Sequence, residues 1–268
     1  DLAEIIETRL QADSGNRVLE QLKICSLEYG CYNAQNIFLG RWEGAVPVSP
    51  ACNAQCVGCI SFQPDDLPPS PQQRFRFVPT LDEVVSVGLH HLQDETSIYS
   101  FGQGCEGEPL LQGDLIAKSI RALREQTDKG TIHLNTNASR PAAFRKVAEA
   151  GLDSVRVSLN SVLAAYYEPY YQPRGYTFKD VVECIRIARD LGLLIHLNYL
   201  HMPGWNDREE EVEALVALLN EFGVNMVQMR NLNIDPDLYA SSVDIPQGQA
   251  LGVMELLHNI RKRAPHVR

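Results

Sequence analysis

The heptapeptide SVRVSLN, Ser154 to Asn160, decides how the chain is laid out. Val155, Val157 and Leu159 alternate with Arg156, Ser158 and Asn160, and a period of two sends the two sets to opposite faces of a strand. A helical pattern follows from Phe178 to Leu191 and stops before Gly192, a residue suited to ending a helix. A strand that leads into a helix is the unit of a parallel sheet, whose outer face packs on helices. The apolar set is therefore expected outward and the polar set inward.

The same unit recurs on both sides. Upstream, AVPVSP (Ala45 to Pro50) reads as a first strand, followed by a helix from Thr80 to Gln93 with Thr80 as N-cap and Glu83 as its capping-box partner. SIYSFGQG (Ser97 to Gly104) precedes a helix from Gly113 to Gln126, and TIHLNTN (Thr131 to Asn137) precedes a helix opened by Ser139 and Pro141. Downstream, LLIHLNYL (Leu193 to Leu200) leads into Asp207 to Phe222, and VNMVQMRNL (Val224 to Leu232) into Pro246 to Arg261. Six βα units fall short of the eightfold closed barrel, so an α/β fold with a partial, open (β/α)6 barrel is expected over residues 45–268. Residues 1–44 read as an extension: one helix from Asp1 to Cys25, then an irregular or β segment. DLPPSPQQ (Asp66 to Gln73) reads as a proline-rich loop.

Polar inward sets recur on three strands: His133, Asn135 and Asn137; Arg156, Ser158 and Asn160; His196 and Asn198. A purely structural barrel fills its interior with Val, Ile and Leu. A wet lumen that binds something is expected here, although any one of these residues has the alternative of satisfying its neighbours or a buried water.

SPACNAQCVGCISF, Ser49 to Phe62, places Cys52, Cys56 and Cys59 directly after the first strand, separated by three residues and then two. A closed zinc site or a simple cluster takes four protein ligands. Three thiolates leave one metal position for something else. Seven cysteines in 268 residues, three of them in one loop, read as metal binding under reducing conditions rather than a disulfide framework. With no apolar run of membrane-span length and no charged leader before an apolar core, the chain is expected to be cytoplasmic and not membrane-bound. It begins at Asp1 rather than Met, which leaves room for residues upstream. A net charge of −10 weighs against nucleic acid as a partner.

The cysteine triplet, EGEPL (Glu106 to Leu110) at the end of the second strand, and six βα units together resemble the radical SAM superfamily. SVRVSLNS, PRGYTFKDV (Pro173 to Val181) and HLNYLHMPGWNDREEE (His196 to Glu211) are most similar to its molybdenum-cofactor and peptide-modifying branch. The resemblance implies a [4Fe-4S] cluster on Cys52, Cys56 and Cys59 whose fourth iron binds S-adenosylmethionine (SAM). Reductive cleavage of SAM to a 5′-deoxyadenosyl radical, which abstracts hydrogen from a substrate, then follows. It also implies an external one-electron donor of flavodoxin or ferredoxin type and a polar small-molecule or peptide substrate. By position, Gly107 is expected to let the backbone approach the methionyl group, and Glu108 to accept from its ammonium. Ser158 and Asn160 resemble positions that bind ribose hydroxyls or the carboxylate, with Asn135 and Asn198 as further cofactor contacts. Arg156 and Arg230 are candidates for an anionic substrate or the cofactor carboxylate, or else for ion pairs that seal the barrel floor.

The sequence departs from the family pattern in three ways. Gly58 stands where an aromatic residue is expected near the adenine, with Phe62 or Ile60 to compensate. Glu106 replaces a glycine and is preceded by Cys105, a candidate hydrogen donor or auxiliary ligand that has the alternative of a small buried apolar residue. No cysteine-rich tail follows the sixth helix; Cys25 and Cys31 match no cluster spacing, and Cys184 reads as core. YYEPYYQPRGY (Tyr166 to Tyr176) is expected to cover the barrel mouth or pack on its edge, and MRNLNIDPDLY (Met229 to Tyr239) to face substrate. A second reading, a metal-binding or electron-transfer protein whose fourth ligand is Cys105 or a histidine, gives the polar lumen and EGEPL no purpose.

Overall fold

Residues 1–63, 69–70 and 72–268 are described by the computed structural model. Within the proline-rich stretch Asp66 to Gln73, residues 66–68 and 71 lie outside the described residues. Three helices open the chain: α1 (Leu2–Ala12), α2 (Arg17–Leu27) and α3 (Tyr32–Leu39). The single helix expected to Cys25 is broken at Gly15, whose φ of +87° no helix accepts. Asn16 then restarts the chain as the N-cap of α2, its side-chain oxygen accepting from the Val18 and Leu19 N–H groups. The segment read as irregular forms α3, closed by Gly40 at φ +58°.

The barrel elements follow as β1 (Glu43–Val46), α4 (Leu81–His91), β2 (Ile98–Phe101), α5 (Gly113–Arg124), β3 (Thr131–Thr136), α6 (Pro141–Ala148) and β4 (Ser154–Leu159). Next come α7 (Ala164–Tyr171), α8 (Phe178–Asp190), β5 (Leu194–His201), α9 (Glu209–Phe222), β6 (Met226–Asn231), α10 (Pro236–Ser242) and α11 (Val253–Arg263). The strands pair in chain order and every pair is parallel. Among the described residues β1 and β6 do not pair, so the sheet is an open six-stranded barrel, as the βα count implied. α3 packs on β1, and Glu43 and Gly44 belong to that strand, so the sheet begins two residues before the expected boundary.

Val155, Val157 and Leu159 are at most 1% exposed on the outer face of β4. Each such side chain contributes about 1.5–3 kcal/mol by burial, which fixes the strand's register and turns Arg156 and Ser158 inward. The Thr80–Glu83 capping box forms at the start of α4. Two short helices were not expected. α7 occupies the tyrosine-rich segment read as a loop, and α10 is started by Asp235 with Pro236 at its first position. The last helix begins at Val253 rather than Pro246. Among the described residues no helix is long and apolar enough to cross a membrane.

Candidate active site

Parallel register stacks the inward residues in layers. Asn135, Arg156 and His196 lie side by side, as do Ser158, Asn198 and Gln228, and Leu200 lies beside Arg230. The lower layers bond to one another in part, while His133 Nε2, Arg156 Nε and His196 Nδ1 are buried with no hydrogen-bond partner among the described residues. Arg156 Nη1 donates to Asn135 Oδ1 at 2.8 Å and pairs with Glu43 at 3.5 Å. Asn135 Nδ2 donates to Ser100 Oγ at 2.9 Å, and His133 Nδ1 lies 2.6 Å from Ser154 Oγ. Burial, helped by the nearby Arg156 charge, pushes His133 down to about 3, so its imidazole is neutral. Arg156 is thus ion-paired to Glu43, and His133 and Asn135 bond to neighbouring side chains.

Above the floor opens a cavity of about 500 Å³, within the range of small-molecule sites. Cys52, Cys56 and Cys59 line it together with Asn135, Ser158, Asn198, Gln228 and Arg230. Burial pushes the Cys52 and Cys56 thiols upward, so metal binding there must displace protons.

The cysteine loop is held by its backbone on two sides. On one, Gly107 N–H donates to Ser49 O at 2.7 Å and Glu108 N–H to Ala51 O at 2.8 Å. On the other, Gln55 N–H donates to Tyr171 O at 3.0 Å and Val57 N–H to Tyr170 O at 2.9 Å, at the end of α7. Gly107 is required by the first clamp: a Cβ there would sit 1.9 Å from Ala51 O. The close approach expected at Gly107 is therefore to the cysteine loop itself.

Both glutamates of EGEPL are internal struts. Glu106 Oε2 accepts from the Val48 and Ser49 N–H groups and Oε1 from those of Gly102 and Gln103, tying the ends of β1 and β2 together. Glu108 accepts from the N–H groups of Leu110 and Asn137 and from the Thr136 hydroxyl. Burial pushes both carboxyls up to about 7 against those hydrogen bonds. Glu108, expected with nearby carbonyls to accept the SAM ammonium, lines the cavity; its Oε1 already accepts two hydrogen bonds and its Oε2 one from the chain's own donors. Of the backbone carbonyls on this turn, Glu106 O accepts from the Ser61 hydroxyl at 3.5 Å and Glu108 O from the Leu111 N–H at 3.2 Å.

Two further expectations are corrected. Cys105 lines neither the cavity nor the recess behind the loop; its buried thiol meets Cys25, whose thiol that hydrogen bond holds down at about 7. Tight packing against the N-terminal helices turns it away from any reacting atom. Asn160 is wholly buried, with Nδ2 donating to Tyr166 O at 2.9 Å and to Tyr239 Oη at 3.4 Å. It anchors α7 and α10 and does not reach the cavity. Phe62, offered as a substitute for the aromatic missing at Gly58, is 52% exposed and lies outside the main cavity. Instead the space beside Gly58 is taken by the Tyr170 hydroxyl, 2.7 Å from where a Cβ would be, while Ile60 lines the cavity. Asn231 and Asn233, from the segment expected to face substrate, line the cavity; Tyr170 and Arg74 also line it and were not singled out from the sequence. The tyrosine-rich segment was the available signal for Tyr170; Arg74 had none.

Residues 46–219, more than half of the chain, match the Radical SAM superfamily. The chain belongs to the radical SAM superfamily. Radical SAM enzymes use a [4Fe-4S] cluster and SAM, and a donor set of three thiols beside an open cavity fits that pair. Molybdenum cofactor biosynthesis protein 1 of Mus musculus is 23% identical over 222 residues, 82% of this chain and 32% of that protein. The mitochondrial GTP 3′,8-cyclase of Arabidopsis thaliana is 22% identical over 229 residues, 83% of this chain and 53% of that protein. The chain thus spans about a third to a half of these relatives. Among solved structures, HydG, a maturase of the [FeFe]-hydrogenase, aligns with 99% of this chain and 61% of its own at a TM-score of 0.56 and 17% identity. Streptococcus suis SuiB bound to precursor peptide SuiA aligns with 87% of this chain and 51% of its own at 0.55 and 14%. At such identities the likeness supports the radical SAM fold alone.

Proposed function

We propose that this chain cleaves SAM reductively and directs the resulting radical at a polar, anionic substrate held in the barrel mouth. The observation that carries this reading is that three cysteines and the polar residues Ser158, Asn198, Gln228 and Arg230 line one and the same cavity. Cys52, Cys56 and Cys59 would hold the cluster, and the cavity side would receive SAM. When bound, the cluster passes one electron into the sulfonium of SAM, giving methionine and a 5′-deoxyadenosyl radical that abstracts hydrogen. The chain's own residues position and enclose. The EGEPL turn, which lines the cavity with the cysteines, would receive the methionyl end, Ser158 and Asn198 would supply hydrogen bonds for ribose or carboxylate oxygens, and Tyr170 bounds the space beside Gly58. Asn135 is drawn into the floor network and supports Arg156 rather than a ligand. Arg156 is already paired with Glu43, which leaves Arg230, exposed on β6, as the strand-borne cation for a substrate carboxylate or phosphate. The electron comes from a flavodoxin- or ferredoxin-type donor.

A closed zinc or electron-transfer site has less support. Its expected fourth ligand, Cys105, is buried against Cys25 and lines neither the cavity nor the recess that the three loop cysteines border. The test is anaerobic. The protein is reconstituted with iron and sulfide, given SAM and dithionite, and assayed for 5′-deoxyadenosine beside Cys56→Ala. Product from the wild type alone is expected; a loaded cluster whose EPR signal ignores SAM would overturn the reading.

A further inference from the structure

Arg74 touches the cysteine loop where no motif predicted a contact. Its Nη2 donates to Cys59 Sγ at 3.3 Å and its Nε to Ser61 Oγ at 3.2 Å, and that hydroxyl lies 3.7 Å from the same sulfur. The guanidinium also stands 5.3 Å over the Phe62 ring, an arrangement that holds a planar cation in place. Arg74 borders the main cavity and also a recess of about 150 Å³ behind the loop, where Cys56, Cys59 and Phe62 are its neighbours. It therefore sits in the wall that separates the cysteines from the outside.

We infer that Arg74 sets the reduction potential of the cluster. The inference rests on the function proposed above. A [4Fe-4S]2+ core with three thiolates carries one net negative charge, and the electron it takes from a low-potential one-electron donor makes that two. The guanidinium stays charged at every working pH, so it favours the doubly negative state over the singly negative one. Its hydrogen bond to Cys59 Sγ draws density from the ligand sulfur in the same direction, and hydrogen bonds to cluster sulfurs together with local charge are what tune such potentials. Arg74 touches no reacting atom; it makes the cluster easier to reduce.

The experiment is an EPR-monitored redox titration of the reconstituted wild type, Arg74→Gln and Arg74→Lys, each at matched iron content, with and without SAM. Removal of the charge is expected to lower the reduction equilibrium constant tenfold or more, which is a fall of 59 mV or more in midpoint for one electron. Arg74→Lys, which keeps the charge and loses the fork, is expected to fall between. A fully loaded Arg74→Gln protein with the wild-type midpoint would overturn the inference. Should Arg74→Gln fail to load while Arg74→Lys titrates like the wild type, Arg74 serves cluster assembly and the inference is overturned as well. If SAM leaves the wild-type EPR signal unchanged, the proposed function itself fails, whatever the variants show.

Discussion

Replacing Gly107 by alanine tests whether the cysteine loop is positioned by the EGEPL turn. The added Cβ would stand 1.9 Å from Ala51 O, 2.3 Å from Ala51 C and 2.9 Å from Cys52 N. All three are backbone atoms, so no side chain can swing aside; the loop or the turn has to move until the first distance exceeds 3.0 Å. A shift of that size breaks the 2.7 Å bond from Gly107 N–H to Ser49 O and the 2.8 Å bond from Glu108 N–H to Ala51 O. Each buried donor left without a partner costs about 1–3 kcal/mol, so the loss is roughly 2–6 kcal/mol. Against a total stability of about 5–15 kcal/mol that is a large share. Urea unfolding of the metal-free protein, followed by circular dichroism, should show a clearly lower midpoint at unchanged slope. Iron bound per chain after reconstitution should drop, because Cys52 moves with Ala51. An unchanged midpoint together with full iron loading would refute the reasoning, since it would mean that this contact does not position the loop.

Glu106 and Glu108 make stability depend on pH. Both carboxyls are raised from an ordinary 4.5 to about 7, so in that interval the folded chain holds protons that the unfolded chain releases. Their contribution is complete below pH 4.5 and lost as pH climbs to about 7; the urea midpoint at pH 5 should exceed that at pH 8, and Glu108→Gln should flatten the difference. A midpoint that rises over this range would contradict the burial argument. Gly58→Ala, whose Cβ would meet the Tyr170 hydroxyl at 2.7 Å, is expected to lower iron loading. Tyr170→Phe in the same chain should restore most of it, and the absence of rescue would show that the crowding lies elsewhere. Arg230→Ala is expected to leave uncoupled formation of 5′-deoxyadenosine intact while weakening capture of an anionic substrate. Loss of the uncoupled activity would move Arg230 into the SAM site.

Periodicity made the barrel readable: on β3, β4 and β5 the alternation of polar and apolar residues assigned each side chain to the lumen or the helices, and the six strands lie in that order. Cysteine spacing likewise marked Cys52, Cys56 and Cys59, which line the same cavity. The misreadings cluster where the backbone is not periodic. Cys105 and Asn160 lie at or beyond strand ends, where a neighbour's packing rather than a two-residue repeat decides which way a side chain points. α7 forms in the tyrosine-rich segment although Pro169 lies inside it and proline is a poor helix former. Its tyrosines, buried against the core, outweigh that cost. Arg74 comes from a stretch without pattern, and only the folded chain brings it to Cys59.

The clamps on Gly107, Glu108, Tyr170 and Tyr171 also bear on how the holoprotein is made. In a zinc finger the metal is the nucleus of folding, and the apo peptide stays unstructured. Here the loop's backbone is anchored by the sheet on one flank and by α7 on the other, so the path of the loop does not depend on a metal to hold it. Maturation can then proceed as delivery: a finished cluster is handed to a folded recipient, and its loss to oxygen leaves behind a vessel that can be refilled rather than a chain that must be refolded.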